Sequence, residues 1–254
     1  MVKITIFIIN RNNSKFLSDC ISSAINQKFR NFEVIIIDDN SSDNSVEIIN
    51  NYKKIKKIRV FLRRKNYGLV GNLNYAIKKA KGQFILRLDS DDMLHKYALK
   101  KLYAKIKENK RIALVFPDYF LINKDSKIIK KYTYKHKFKY TIKDTPAHGA
   151  CSLINKNILK NIGGYNKKFD RQDGHYIWLS ILYNNFSIKH LRLSLFYYRK
   201  HQTNMTKDRL KILNARLKIL NFFLYKIKDK QVLLSKKKQT LTKIKKLNEK
   251  NTHI

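Results

Sequence analysis

Short runs of apolar residues alternate with longer amphipathic segments through the first part of the chain. The apolar runs cover residues 4–9, 32–37, 58–62 and 83–88, and near-continuous runs are what strands buried on both faces of a sheet require. The segments between them predict helices over residues 15–26, 43–52 and 69–79, with Ser14 and Ser42 as N-caps of the first two. This order predicts an α/β fold in which right-handed crossovers connect parallel strands.

The pattern changes in the second part of the chain. A helix is predicted near residues 94–108, and alternating apolar and polar positions over residues 112–140 predict antiparallel hairpins. Residues 145–204 have a mixed pattern typical of a region that shapes a substrate site. Beyond Thr206 the chain becomes helical and basic, with an apolar stripe made of Leu210, Leu213, Leu217, Leu220 and Leu224. We expect one compact domain up to about Thr206 and a basic extension after it.

Polar residues directly follow three of the predicted strands, at positions 10–13, 38–43 and 89–92. Because the carboxyl ends of parallel strands share one edge of a sheet, these loops should converge on a single crevice that binds a ligand. The crevice would gather five acids: Asp38, Asp39, Asp89, Asp91 and Asp92. Neighbouring carboxylates repel one another unless a divalent cation neutralises them, so the pattern predicts a Mg²⁺ or Mn²⁺ site.

Two structural alternatives apply to the same acids. Asp39 and Asp43 would also fit an Asx turn and a helix cap with no ligand. The segment 89–92 would also fit a solvated loop, although a hydrophobic strand that leads into three acids has few structural uses.

The acids are conspicuous because the chain is strongly basic, with 56 Lys and Arg against 18 Asp and Glu and a formal net charge of +38. Such a charge attracts phosphates, anionic lipid or nucleic acid. An AT-rich genome would also produce abundant lysine without selection on charge. Charge alone therefore does not assign a partner.

Composition excludes several other classes of protein. A chain of 254 residues with 43% hydrophobic residues is globular rather than disordered. Cys20 and Cys151 lack CxxC spacing, which argues against a disulfide framework or a zinc site and predicts reduced thiols in the core. No apolar run approaches the ~18 residues of a membrane span, and the first residues lead into a strand without a signal-peptide core. We expect a cytoplasmic protein.

Several short motifs occur in a fixed order along the chain. They are the strand and loop at 4–13, Asn26-Gln27, Phe-Glu-Val-Ile-Ile-Ile-Asp-Asp-Asn-Ser-Ser-Asp at 32–43, Asn66-Tyr67-Gly68-Leu69, Asn74-Tyr75-Ala76-Ile77, Leu88-Asp89-Ser90-Asp91-Asp92, Gly163-Gly164-Tyr165, Gln172-Asp173, and Tyr198-Arg199-Lys200-His201 with Asn204. In this order the motifs resemble those of the inverting family-2 glycosyltransferases, which have the GT-A fold.

The chain departs from the family pattern at a few positions. Ile9 replaces the usual Pro, Arg11 a Tyr, Asn40 a Gly, Leu73 an Arg and Gln172 a Glu. An asparagine at position 40 can still adopt a left-handed turn. The missing arginine at position 73 would weaken phosphate or loop contacts, and Arg63 or Arg64 could replace it.

The resemblance implies a GT-A fold: a Rossmann-like, mostly parallel sheet flanked by helices, a smaller antiparallel acceptor-side region and a C-terminal helical basic tail. It implies a nucleotide-sugar-binding half at 1–95, an acceptor-binding and catalytic half of the same domain at 96–206, and the basic extension at 207–254. The implied activity is metal-dependent, inverting transfer of a sugar from a nucleotide-diphosphate sugar, with a UDP-sugar favoured. The acceptor would be a glycan or lipid-linked glycan in cell-surface polysaccharide synthesis.

The resemblance also assigns roles to individual residues. Asp91 would hold Mn²⁺ or Mg²⁺ with Asp89, Asp92 and His201, and the metal would neutralise charge that develops on the leaving phosphate. Asp39 would accept a hydrogen bond from the nucleotide base. The full donor-binding set is Ile9, Asn10, Arg11, Asn12, Asp38, Asp39, Asn66, Gly68, Asn74, Asp89 and Ser90.

An inverting displacement needs a carboxylate that takes the proton of the acceptor hydroxyl, and Asp173 is the candidate. It would begin a helix over residues 174–183, where the helix dipole favours an ionised carboxylate. A helix N-cap without chemistry would fit the same local pattern. Trp178 is expected in the core, His175 at the surface and His148 beside the acceptor pocket. His201 would contact the metal or a phosphate, or would be an ordinary packed histidine.

Two other classes of protein compete with this interpretation. A non-catalytic protein that binds nucleic acid or membrane would use the positive charge, but three carboxylates at the crevice argue against phosphates docking there directly. A nucleotidyltransferase is disfavoured because no Gly-rich basic loop follows the first strand. Within the tail we expect residues 209–227 to pack on the domain. Residues 228–254 are expected to be solvated and to face the anionic inner surface of the membrane.

Overall fold

The computed structural model describes residues 1–134, 149–169, 171–202, 204, 208–226 and 230–251. These residues form β1 (Ile4–Asn10), α1 (Ser14–Ile25), β2 (Phe32–Asp38), α2 (Ser45–Tyr52), β3 (Ile58–Leu62), α3 (Gly68–Lys79), β4 (Phe84–Asp89), β5 (Met93–Leu94), α4 (Ala98–Lys107), β6 (Ile112–Ile122), β7 (Ile128–Tyr132), β8 (Leu153–Asn155), α5 (Lys156–Asn161), α6 (Asp173–Tyr183), β9 (Ser187–Arg199), α7 (Arg209–Leu224) and α8 (Lys230–Asn251). The α/β class predicted from the apolar runs is confirmed.

One mixed sheet organises the chain, with strand order β3-β2-β1-β4-β8-β6-β9-β5 and β7 paired to β6. Strands β1 to β4 are parallel, as their buried apolar runs predict. Strand β8 is antiparallel to both β4 and β6 and joins the two parts of the sheet. Apolar clusters fill both faces, because successive side chains of each strand point to opposite sides.

The register of the first strands aligns their carboxyl ends. Asn10 of β1 is opposite Asp38 of β2, and Ile9 is opposite Asp89 of β4. Each apolar run therefore ends at the same edge of the sheet, and the polar residues that follow are brought together there. This edge is called the acidic edge below.

The predicted helices are present, but their capping differs from the expectation. Ser14 is the first residue of α1, and neither Asn13 before α1 nor Asn44 before α2 makes a side-chain cap bond. Instead Asp43 accepts from the backbone N–H of Ser14 (Oδ2, 2.9 Å) and from that of Ser45 (Oδ1, 3.0 Å). Ser14 and Ser42 are therefore not the caps, because one carboxylate serves the beginnings of both helices.

The antiparallel hairpin expected in the second part of the chain is present as β6 and β7. Residues 135–140, the remainder of the predicted segment, lie outside the described residues. Strand β9 runs parallel to β6 along most of its length, a long-range pairing that the local pattern did not predict. This pairing brings the end of β9 to the acidic edge.

The C-terminal extension is a pair of helices. Helix α7 buries Leu213, Ile219, Leu220 and Phe223, which confirms the expected packing of this segment. Residues 228–254 were expected to be solvated, but Leu233 and Thr240 of α8 are buried, so one side of α8 is covered. Residues 227–229 and 252–254 of the predicted tail lie outside the described residues. Within the described ranges no helix is long and apolar enough to cross a bilayer.

His175 is buried, with 6% of its surface exposed, and the expectation of a surface histidine is wrong. Burial, together with the charges of Arg216 and Lys236 on the tail helices, lowers the pKa of His175 to about 3. The tail covers α6 on the side that would otherwise face solvent. Trp178 is in the core, as predicted.

The burial of His175 predicts a pH-dependent stability. Below about pH 6.5 the unfolded chain binds a proton at His175, whereas the folded chain does so only near pH 3. The unfolding free energy should therefore fall as the pH falls from 6.5 to 4.5, and His175→Phe should reduce this slope by up to ~1.4 kcal/mol per pH unit. Urea denaturation at several pH values measures the slope. An equal slope in wild type and His175→Phe would contradict the assignment.

Candidate active site

The loop after β2 is built around the carboxylate of Asp38, which is buried. Asp38 Oδ2 accepts from the Ser41 backbone N–H (2.9 Å), and Oδ1 accepts from Ser41 Oγ (2.6 Å) and Asn10 Nδ2 (2.9 Å). Asn12 Oδ1 accepts from the Ser42 backbone N–H (2.7 Å) and ties the loop after β1 to the same turn. Asp38, Asn10 and Asn12 are predicted to bind the donor. The bonds described here use their side chains to shape the two loops, and their contact with the donor stays a prediction.

Asp39 connects the loop after β2 to the beginning of α3. Its Oδ1 accepts from the Tyr67 backbone N–H (2.8 Å) and its Oδ2 from that of Gly68 (3.0 Å). Asn66 Oδ1 also accepts from the Gly68 N–H (2.8 Å). A carboxylate oxygen has two acceptor positions, so Asp39 can accept a further hydrogen bond at the crevice.

An arginine lies beside this connection. The Arg63 guanidinium is 3.9 Å from the centre of the Tyr67 ring and 4.1 Å from that of Tyr75. Its buried Nε has no hydrogen-bond partner among the described residues. Leu73 occupies the family's arginine position and is fully buried, whereas Arg63 follows the end of β3 directly. Of the two replacements predicted, Arg63 is the one held between two rings.

Arg87 connects two carboxylates that are far apart in sequence. Its Nε donates to Asp89 Oδ1 (2.5 Å), and its Nη1 donates to Asp173 Oδ2 (2.7 Å). Burial alone would lower the pKa of Arg87, but the charges of Asp89 and Asp173 raise it above its usual value. Arg87 could not be selected from the sequence, because one arginine in an apolar strand has no characteristic pattern.

Asp91 and His201 meet at the acidic edge, as the resemblance implied. His201 Nε2 is 2.8 Å from Asp91 Oδ2, and Asn204 Nδ2 donates to the same oxygen at 3.4 Å. Burial and the nearby charge of Asp89 raise the pKa of Asp91. The His201 ring packs on Phe16 of α1, with 5.0 Å between ring centres, and this contact fixes its position.

Asp92 is in a different environment from its neighbours. Its side chain is fully buried, and Oδ1 accepts from the Arg199 backbone N–H (2.8 Å). Burial, followed by repulsion from Asp91 and Asp89, raises the pKa of Asp92 well above its usual range. The structure therefore gives Asp92 a contact that anchors the end of β9. Its expected role as a metal ligand stays a prediction without a geometric argument.

Arg199 is a fully buried arginine beneath the Asp91 loop. Its Nε donates to the Asp91 carbonyl (2.8 Å), and its Nη1 donates to Ser126 Oγ (2.8 Å) in the turn between β6 and β7. Its guanidinium also lies 4.7 Å from the centre of the Phe16 ring. Arg199 therefore attaches the Asp91 loop to α1 and to the β6–β7 hairpin.

Asn74 was expected to bind the donor, but the nitrogen and the oxygen of its side-chain amide both make hydrogen bonds to the protein backbone. Asn74 Nδ2 donates to the Tyr165 carbonyl (2.7 Å), and Oδ1 accepts from the Tyr165 N–H (3.0 Å). Gly164 has φ +66°, and a Cβ there would lie 2.9 Å from Asn74 Oδ1. Asn74 thus positions the Gly-Gly-Tyr segment, whose buried Tyr165 lines a small pocket with Asp173.

The remaining predicted residues lie around the mouth of the crevice. Ile9 is half-buried against the core, and Arg11 is exposed. Ser90 Oγ accepts from Asn13 Nδ2 (3.0 Å) and joins the loops after β1 and β4. Asp173 is the first residue of α6, and Gly149 packs close to it. His148 lies outside the described residues.

The side chains at the acidic edge that could bind a divalent cation form an incomplete ligand set. Asp91, Asp89 and His201 carry the oxygen and nitrogen atoms that a divalent cation could bind, and burial together with the charge of Asp89 raises the pKa of Asp91. Among the described residues, no three His, Cys, Asp or Glu side chains are already arranged to hold a metal. Mg²⁺ is often held by one or two carboxylates together with substrate phosphates, so an incomplete protein ligand set is compatible with such a site.

A mostly parallel sheet that gathers acids and a histidine at its carboxyl edge places this protein among the GT-A glycosyltransferases. The chain belongs to glycosyl transferase family 2, whose family model matches residues 5–163. The Escherichia coli protein WfaP, a UDP-Glc:alpha-D-GlcNAc-diphosphoundecaprenol beta-1,3-glucosyltransferase, is 30% identical over 227 residues, which are 87% of this chain and 86% of WfaP. The poly(ribitol-phosphate) beta-glucosyltransferase of Bacillus spizizenii is 41% identical over 112 residues, 42% of this chain and 18% of that protein.

Solved structures agree on the fold. Staphylococcus aureus TarS 1–349 in complex with UDP-GlcNAc has a TM-score of 0.74 at 20% identity and covers 96% of this chain and 71% of its own. The mannosyltransferase PcManGT from Pyrobaculum calidifontis, in complex with GDP-Man and Mn²⁺, has a TM-score of 0.73 at 11% identity and covers 92% of this chain and 69% of its own. The predicted GT-A fold is confirmed, and the chain is a glycosyltransferase.

The two bonds from Asn74 predict a cost in stability. Asn74→Ala leaves the Tyr165 N–H and carbonyl without partners and should lower the unfolding free energy by ~1–3 kcal/mol. Urea denaturation measures the change. Asn66→Ala is the control, because its exposed side chain makes one bond to an N–H that Asp39 also accepts. Unchanged stability with weakened UDP binding would instead assign Asn74 to the donor.

Proposed function

We propose that this protein is a metal-dependent, inverting glycosyltransferase that transfers a sugar from a UDP-sugar to a lipid-linked or polymeric acceptor in cell-surface glycan synthesis. The observation that carries the proposal is the junction of two groups at the acidic edge. The Asp91–His201 pair suits a metal and a diphosphate. The carboxylates of Asp89 and Asp173 both accept hydrogen bonds from Arg87. A donor site and a general base are thereby adjacent.

The nucleotide is proposed to bind in the crevice between the loops after β1 and β2. Asp39 would accept a hydrogen bond from the imide N–H of uracil while it keeps its bonds to Tyr67 and Gly68. Arg63 supports the same subsite, because two tyrosine rings hold its guanidinium next to that connection. UDP is favoured over other nucleotides because TarS binds UDP and UDP-GlcNAc and because WfaP uses UDP-Glc.

Asp91, Asp89 and His201 are the residues proposed to hold Mn²⁺ or Mg²⁺. A bound divalent cation would act as a Lewis acid that stabilises the negative charge of the departing diphosphate. Support for a metal comes from the crowded carboxylates and from the Mn²⁺ in the PcManGT complex. Arg87 bonds one carboxylate oxygen of Asp89, and Arg199 bonds the backbone carbonyl of Asp91. Neither arginine bonds the Asp91 carboxylate, which is left available to a cation.

Asp173 is proposed to act as the general base. The acceptor oxygen attacks the anomeric carbon of the donor sugar while its proton passes to a carboxylate oxygen of Asp173, and the bond from that carbon to the diphosphate breaks on the opposite face. Attack opposite the leaving group inverts the configuration. Asp173 begins α6, where the helix dipole favours the ionised form that a base requires.

The acceptor class is proposed from two groups of relatives. WfaP and WfgD act on GlcNAc-diphosphoundecaprenol, and the B. spizizenii and S. aureus relatives act on poly(ribitol-phosphate). Residues 1–95 would hold the donor, and residues 96–206 would hold the acceptor and the base. These two halves share one sheet, and residues 207–254 would be the basic extension, within which α7 and α8 lie.

The extension is further proposed to hold the enzyme against the anionic inner face of the membrane from the cytoplasmic side, where lipid-linked acceptors are accessible. Helix α8 exposes Leu234 and Leu241. Lys238 and Lys245 are exposed along the same stripe, and Lys243 and Lys246 are exposed elsewhere around the helix. Exposed lysines beside apolar side chains are typical of helices that lie on an anionic lipid surface.

The proposed metal and donor site predicts a change in nucleotide binding. Asp91→Asn keeps a polar partner for His201 but removes a charge, so UDP binding in the presence of Mn²⁺ should weaken at least ~10-fold, equivalent to ~1.4 kcal/mol. Isothermal calorimetry with and without Mn²⁺ measures both effects, and Asp125→Asn in the exposed β6–β7 turn is the control. Equal UDP affinity with and without Mn²⁺ in wild type would show that the donor site is independent of metal.

The proposed membrane surface predicts salt-dependent binding to lipid. The wild type should co-sediment with anionic vesicles at low salt and be released as ionic strength rises, because screening weakens each contact. Changing Lys238, Lys243, Lys245 and Lys246 to Gln should reduce binding strongly, since each lysine near the surface contributes ~1 kcal/mol. The matched control changes four exposed lysines of α4 and its C-terminal turn: Lys100, Lys101, Lys107 and Lys110. Equal losses in both variants would assign the binding to total charge.

A further inference from the structure

Arg87 has an unusual position for a charged residue, on β4 between two apolar residues and opposite Phe7 of β1. Its side chain is only 13% exposed, and it donates to Asp89 and Asp173 from different nitrogen atoms. A buried arginine is costly unless its donors are satisfied by well-placed acceptors. Both acceptors here belong to the proposed reaction machinery, one on the donor side and one on the acceptor side.

The guanidinium group is planar and rigid, so it fixes the separation of the carboxylates that it binds. Asp173 Oδ2 is engaged by Arg87 Nη1, while among the described residues no hydrogen bond is made to Asp173 Oδ1. One oxygen of the carboxylate is therefore held and the other is left to accept a proton. Without the arginine, the Asp173 side chain could rotate about its χ angles.

Close backbone packing supports this arrangement. The Cα atoms of Gly149 and Gly174 approach each other, and a Cβ on Gly174 would lie 3.2 Å from Gly149 Cα. A Cβ on Gly149 would lie 3.8 Å from Arg87 Nη1 and 4.0 Å from Asp173 Oδ2. The absence of side chains at these two positions lets the beginning of α6 come against the segment before β8, beside Arg87.

We propose that Arg87 is a positioning residue that holds Asp173 in the orientation of a general base and ties it to Asp89, so that base and donor site keep a fixed separation. This inference rests on the proposed function. A base acts only within about 3 Å of the oxygen atom whose proton it takes, so loss of the arginine should slow transfer far more than it weakens donor binding. Arg87 acts through Asp173 and does not itself take the proton.

The test compares Arg87→Met, Arg87→Lys and Asp173→Asn with the double variant Arg87→Met/Asp173→Asn in a transfer assay with a UDP-sugar and acceptor. Arg87→Met should lower kcat ~10²-fold or more with the donor KM within about twofold of wild type. Arg87→Lys should recover part of the loss, because it restores a donor and a charge. The double variant should be no slower than Asp173→Asn, since Arg87 has no target once the base is absent.

Three results would overturn the proposal. The first is additive losses in the double variant, and the second is a raised donor KM with unchanged kcat, which would place the effect at Asp89. The third is near-normal kcat in Arg87→Met.

Arg59→Met is the control, because Arg59 also pairs with a buried carboxylate, Glu33, at the opposite end of the sheet. Thermal unfolding and UDP calorimetry identify a misfolded variant, in which case Arg87→Lys decides by the same criteria. No transfer by the wild type would overturn the proposed function and this inference together, whereas additive losses in an active enzyme would overturn the inference alone.

Discussion

Crowding of carboxylates at the carboxyl edge of the sheet is the constraint on which the rest of the site depends. The parallel register of β1, β2 and β4 makes the crowding unavoidable, because the three strands end at the same edge and acids stand at and just after the ends of β2 and β4. Burial and mutual repulsion raise the pKa values of Asp91 and Asp92. The fold offsets this repulsion with the buried guanidinium groups of Arg87 and Arg199 and with backbone N–H groups that donate to the carboxylates.

Each acid is stabilised in a different way, and the differences separate structural from functional roles. Asp38 and Asp39 accept backbone and side-chain hydrogen bonds that form the loops. Asp92 accepts the N–H of Arg199 and is closed to solvent. Asp89 and Asp173 share Arg87. Among the described residues the Asp91 carboxylate is bonded by His201 and Asn204 and by no arginine, so its charge is left for a cation to offset.

Much of the fold could be predicted from the sequence, because strands β1 to β4 are continuous apolar runs and the helices between them have amphipathic patterns. The pairing of β6 with β9 could not, since it joins distant segments without a local signal. His175 could not be recognised as buried, because the residues that cover it belong to the tail helices α7 and α8. Asn74 illustrates a further limit: an amide that binds the backbone and one that binds a ligand look the same in a sequence.

The predicted site residues do converge at one edge, because their positions follow from strand ends. Arg87 and Arg199 were not recognised as organising residues, because the partners that define their roles are distant in sequence. The proposed mechanism depends most on the assignment of Asp173 as the base. The direct test measures both sugar transfer and UDP binding in Asp173→Asn. We expect a rate lowered by ~10²–10⁴-fold with UDP affinity within about twofold of wild type. Near-normal transfer by the folded variant would contradict the assignment.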